Sequence, residues 1–116
     1  KIRAEHGNPD KALFHLKQDE GGIVDIEFLV QYLVLANAHA YPEITGWTDN
    51  IRILETMATN DIIDPSSAEQ LKTIYVTLRA QIHKLNLQEK PPLVPAVGYM
   101  EYRSAVSKIR DKYLVA

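Results

Sequence analysis

Gly21-Gly22-Ile23-Val24-Asp25-Ile26-Glu27-Phe28-Leu29-Val30-Gln31-Tyr32-Leu33-Val34-Leu35-Ala36-Asn37-Ala38-His39-Ala40 decides the fold. From Ile23 to about Ala40 the apolar residues recur at helical spacing. Ile26, Leu29, Val30, Leu33 and Val34 fall on one face, and Phe28, Tyr32 and Leu35 on another. A helix so apolar around its circumference must be packed on several sides, which makes it the central element of a domain. It is too short and too often interrupted, by Gln31, Asn37 and His39, to cross a bilayer. Tyr41-Pro42 supplies its stop.

Downstream, the pattern gives three more helices. Thr48 or Asp49 can cap a second helix carrying Ile51, Leu54 and Ala58, ending near Asn60-Asp61. Asp64-Pro65-Ser66-Ser67 is the start signal of a third, with a cap before a first-turn proline and with Ser66 and Glu69 in capping-box register. That helix should run to about Gln88 on a stripe of Leu71, Ile74, Tyr75, Leu78, Ile82 and Leu85, until Pro91-Pro92 and Pro95 break it. The last, about Tyr99 to Leu114, places Tyr99, Tyr102, Val106, Ile109 and Tyr113 at steps of three and four.

Upstream, Lys1 to His6 reads as the last turns of a helix stopped by Gly7-Asn8-Pro9. Residues 12–17 alternate weakly, as a short strand or extended segment would, before the polar turn Gln18 to Gly22. The fold class is therefore all-α, a bundle of four or more helices with a possible short extended segment near residues 12–17.

Composition narrows the function classes. In 116 residues, 13 Lys and Arg face 15 Asp and Glu, a net charge of −2 that offers no field for nucleic acid or an anionic membrane. The absence of cysteine removes disulfides, thiolate zinc sites and thiol nucleophiles, and suits the reducing cytoplasm. With neither an initiating Met nor an apolar leader, the chain reads as a fragment of a longer cytoplasmic protein.

Chemistry concentrates between Lys17 and Phe28. Gly21 and Gly22 precede a helix start, with Lys17 upstream, so backbone amides and the helix dipole could receive a phosphate. The spacing matches neither a Walker loop nor a dinucleotide fingerprint, and a tight turn packing the helix against its neighbour explains the glycines equally. Asp25 and Glu27 would share one face of a strand, but on a helix they diverge by about 200° and cannot jointly hold a metal. First-turn acids complementing the dipole are then the simpler explanation. Trp47 to Arg52 describes a helix start with a packed anchor. The four histidines, His6, His15, His39 and His83, lack zinc spacing, and His39 suits a helix C-terminus. Ser66 and Ser67 belong to a cap, with no nucleophile elbow around them.

Gly-Gly-Ile-Val-Asp-Ile-Glu-Phe-Leu-Val-Gln-Tyr (Gly21 to Tyr32), Phe14-His15-Leu16-Lys17 before it and Trp47-Thr48-Asp49-Asn50-Ile51-Arg52-Ile53-Leu54-Glu55 after it together resemble the bifunctional glutamine synthetase adenylyltransferase/adenylyl-removing enzyme family. Leu78-Arg79 to His83 and Leu85-Asn86-Leu87-Gln88 extend the resemblance over nearly the whole chain. It implies that residues 1–22 are a junction from a preceding nucleotidyltransferase domain and residues 23–116 the helical domain ending the adenylylating half. It also implies a full enzyme that uses ATP and Mg²⁺ to transfer AMP to a tyrosine of glutamine synthetase, removes it by phosphorolysis in the other half, and responds to glutamine and the PII protein.

The family's paired-aspartate strand motif and Gly-rich catalytic turn do not occur in these residues. The isolated chain is therefore expected to bind ATP weakly or not at all, to carry no cofactor of its own and to transfer nothing. Lys17, Gly21, Gly22, Asp25 and Glu27 are the candidates to face the nucleotide of the missing domain or to brace the interface with it. On the functional reading, Lys17→Ala and Asp25→Ala lower transfer and spare the melting temperature. The rival readings are a self-sufficient protein-interaction bundle and the helical part of a related uridylyltransferase.

Overall fold

The computed structural model describes residues 12–37 and 50–114. The expected turns at residues 1–9, the continuation of the first helix to residue 40, the Tyr41-Pro42 stop, and the Trp47, Thr48 and Asp49 features lie outside the described residues.

Four α-helices account for most of the described chain: α1 (Ile23–Asn37), α2 (Asn50–Thr59), α3 (Pro65–Leu87) and α4 (Met100–Tyr113). A short ladder accompanies them. The extended segment is a strand, β1 (Leu13–His15), paired antiparallel with β2 (Leu93–Pro95) in the register Phe14 opposite Val94. β2 lies in the Pro91 to Pro95 stretch, which the sequence marks only as a helix break. Its prolines are tolerated because the ladder is three residues long and Pro95 sits at its end. A 3₁₀ turn, Ala96–Tyr99, then leads into α4.

The core is one cluster. Ile23, Ile26, Leu29, Val30 and Leu33 of α1 meet Ile53, Leu54 and Met57 of α2, Leu71, Ile74 and Leu78 of α3, and Val106 and Ile109 of α4. Phe14, Leu16 and Val94 from the strand end join it, so packing is continuous across position 22. The first helix is central, as its composition requires, yet it is not enclosed. Val24, Phe28, Tyr32 and Leu35 form an exposed apolar strip, with Phe28 58% and Leu35 80% accessible.

The helix ends show which local signals hold. Asp64, not Ser66, caps α3: its carboxylate accepts from the Ser67 amide at 2.9 Å and from the Ser67 hydroxyl at 2.8 Å, while Pro65 fills the first turn. Glu69 pairs instead with Lys72 at 3.6 Å. At the other end of α3, Glu89 adopts φ 56°, its amide donates to the Asn86 carbonyl, and the Lys90 amide donates to Leu85. This is a Schellman closure made without glycine. Asp61, at φ 61°, closes α2 in the same way through Ile62 and Met57.

Candidate functional site

The turn between β1 and α1 is built by its own side chains. The His15 amide donates to Asp19 Oδ2 at 2.8 Å, and His15 Nδ1 accepts from the amides of Lys17 at 3.3 Å and Gln18 at 3.2 Å. That acceptor role requires Nδ1 to carry no proton. The chain then folds back so that the Gly22 amide reaches the Asp19 carbonyl, Ile23 reaches Leu16, and Val24 reaches Lys17, each at 2.9 Å.

Both glycines are required by this path. Gly21 has φ 84°, and a Cβ there would stand 2.6 Å from the Arg103 Cα on α4; a Cβ on Gly22 would stand 2.6 Å from the Leu16 carbonyl oxygen. The Gly21 amide itself donates to Asp25 Oδ2 at 2.7 Å. Every amide from Gly21 to Val24 thus has a protein acceptor at the start of α1, the position at which the sequence suggests a phosphate could be received.

Asp25 is buried, 3% exposed, and also accepts from Arg110 Nη1 at 3.2 Å. Arg110 reaches Glu20 with its other terminal nitrogen at 2.9 Å and Asp111 at 3.0 Å. Burial lowers the affinity of this guanidinium for its proton, but the bonds to Glu20 and Asp111 outweigh it and raise its pKa. Beside it, Arg103 donates to the Glu20 carbonyl at 2.8 Å and lies 4.5 Å from the centroid of the Phe14 ring. Turn and last helix are clamped together.

Glu27 points elsewhere: its carboxylate accepts from the Tyr75 hydroxyl on α3 at 3.3 Å, and that hydroxyl accepts from Asn50 at 3.1 Å. Asp25 and Glu27 therefore diverge as the helical geometry predicts. The pair does not fit a divalent cation, and no group of three His, Asp or Glu residues among the described residues does. No described helix is long and apolar enough to cross a membrane.

Of the five candidates, Gly21, Gly22 and Asp25 come together in the clamp and Glu27 stands apart. Lys17 lines a recess, a cleft of about 290 Å³ shared with Arg79, His83, Asn86 and Lys90 over Ile82 and Pro92. The helical share of that cleft has a sequence signal, since Arg79, His83 and Asn86 recur at steps of four and three. Its convergence with Lys17 and Lys90 depends on the ladder that joins residues 13–15 to 93–95, which the sequence does not mark. The family model described as GlnD PII-uridylyltransferase matches residues 1–93, most of the chain including the whole turn and the Arg79 face of α3. The chain belongs to that family.

Proposed function

We propose that this chain is the helical domain of a glutamine synthetase adenylyltransferase, standing after a nucleotidyltransferase core. The observation that carries the reading is the clamped segment Gly21 to Tyr32, whose residues match that enzyme's signature, together with the stretches from Trp47 to Glu55 and Leu78 to Gln88. In the full enzyme the core supplies the carboxylates that hold Mg²⁺, and ATP donates AMP to a tyrosine of glutamine synthetase. The opposing half removes the group by phosphorolysis, under control of glutamine and PII. Asp25 and Glu27 of this chain are engaged separately, by Arg110 and by Tyr75. This domain contributes the surface that meets the core: Lys17 on the nucleotide side, with Gly21, Gly22, Asp25 and Glu27 shaping the segment behind it.

A second reading is favoured by the family match itself, whose description names uridylyl transfer to PII. One experiment separates the two. The enzyme containing this domain is incubated with α-labelled ATP and glutamine synthetase, and in parallel with α-labelled UTP and PII protein. Label in glutamine synthetase supports the adenylyltransferase; label in PII alone replaces it with the uridylyltransferase. The 116-residue chain by itself should label neither.

A further inference from the structure

We infer that the cleft between the β1–α1 turn and the C-terminal half of α3 is an anion site that takes an oligophosphate chain, whichever nucleotidyl group the full enzyme transfers. Lys17, Arg79 and Lys90 bring three fixed positive charges to one recess of about 290 Å³, with His83 and Asn86 as further hydrogen-bond donors. No described carboxylate lines it. Lys72, Arg110 and Lys112 are ion-paired, whereas no ion pair among the described residues engages Lys17, Arg79 or Lys90, and Arg79 lies 6.0 Å from the centroid of the Tyr75 ring. In a chain of net charge −2, such a local excess of positive charge is a feature of the site and not of the composition.

The cations stand on fixed backbone. The Lys17 carbonyl accepts from Val24 at 2.9 Å and its amide donates to His15. The Lys90 amide is tied to Leu85 by the Schellman closure, and Arg79, His83 and Asn86 share one face of a regular helix. The negative end of the α3 dipole also points this way, which would disfavour an anion. That effect is blunted here because the Lys84, Leu85 and Asn86 carbonyls already accept from Gln88, Lys90 and Glu89. At about 290 Å³ the recess has room for more than one carboxylate, and Ile82 and Pro92 give it an apolar part of its lining. A chain of linked phosphates carries several anionic oxygens and so has a charge to offer each of the three cations, where a carboxylate has only one.

The test titrates the full 116-residue chain with inorganic pyrophosphate, ATP and UTP by calorimetry and amide NMR. Pyrophosphate should bind, shifting the amides of residues 17, 79, 83 and 90, and the double variant Arg79→Ala/Lys90→Ala should bind about tenfold or more weakly with an unchanged melting temperature. Equal affinity for the three probes means that the phosphate chain alone is recognised; tighter binding of one nucleotide means that its nucleoside is read as well. The proposal is overturned if pyrophosphate does not bind at about 10 mM. It is also overturned if Lys108→Ala, on the exposed side of α4, weakens binding as much as the double variant, since the attraction would then be unlocalised charge.

Discussion

The Asp25 carboxylate joins the two ends of the described chain: one oxygen accepts both the Gly21 amide at 2.7 Å and the Arg110 guanidinium at 3.2 Å, across 85 residues of sequence. It is nearly inaccessible, while Arg110 keeps about a fifth of its side-chain surface in solvent. Removing the acid leaves an amide without its acceptor and a guanidinium short of one partner. Asp25→Ala should therefore destabilise the chain by about 2–4 kcal/mol, roughly 8–16 °C in melting temperature for a domain of this size. This departs from the functional expectation, under which the same substitution spares stability. Because Arg110→Met also removes the charge that Asp25 balances, the double variant should lose clearly less than the sum of the two single losses. Additive losses would show that the pair is not coupled.

Gly21→Ala and Gly22→Ala test the close approach directly. At Gly21 the added methyl meets the backbone of α4 in a left-handed conformation, and at Gly22 it meets the Leu16 carbonyl, so neither neighbour can yield by a rotamer change. Gly21→Ala should cost about 2–4 kcal/mol from backbone strain and overpacking together, and Gly22→Ala about 1–3 kcal/mol from overpacking alone. Gly98→Ala is the control, with nothing within 4 Å of the new atom, and should lie within about 0.5 kcal/mol of the parent. Thermal melts of the three variants decide it; equal effects at all three positions would remove the packing explanation.

How much of this was legible in the sequence depends on how local the physics is. The helices were readable from period alone, and Asp64-Pro65 marks the start of α3 because a cap and a first-turn proline act within four residues. Asp61 and Glu89 end α2 and α3 in a conformation usually assigned to glycine, so the usual stop signal was missing at both. Asp25 and Glu27 could be separated by helical angle, but their partners, Arg110 and Tyr75, lie 85 and 48 residues away and no local rule names them. The cleft was half visible: Arg79, His83 and Asn86 share a helix face, while Lys17 joins them only through strand pairing that a proline-rich segment conceals.

Asp64 carries a pH dependence. The Tyr113 hydroxyl, the Ser67 amide and hydroxyl and the Lys112 ammonium all donate to its carboxylate and hold it well below the usual carboxylate range. Since the folded chain binds that proton less readily than the unfolded chain, the stabilisation is complete above the ordinary value of 3.8 and is lost as pH falls beneath it. The side chain is 38% exposed, so solvent screens much of the charge contribution. Replacement by Ala should cost about 1 kcal/mol at neutral pH, whereas Asn keeps a capping oxygen and should cost less. Between about pH 5 and pH 2 the melting temperature of Asp64→Asn should fall less steeply than that of the parent. Parallel curves would mean that Asp64 does not contribute to acid sensitivity.

The two apolar faces of α1 should respond oppositely to substitution although composition does not distinguish them. Leu33 is 5% exposed within the core, and Leu35, two residues on, is 80% exposed. Leu33→Ala should cost about 2–5 kcal/mol, because the surrounding helices cannot close fully over the space it leaves. Leu35→Gln removes no buried contact, and its effect on the stability of this chain should stay within about 0.5 kcal/mol. Phe28→Ser, at 58% exposure, should likewise cost far less than a buried phenylalanine, for which truncation costs about 3–5 kcal/mol. Urea denaturation of the three variants measures the difference. A loss at Leu35 comparable to that at Leu33 would mean that the strip from Val24 to Leu35 is buried in the folded chain.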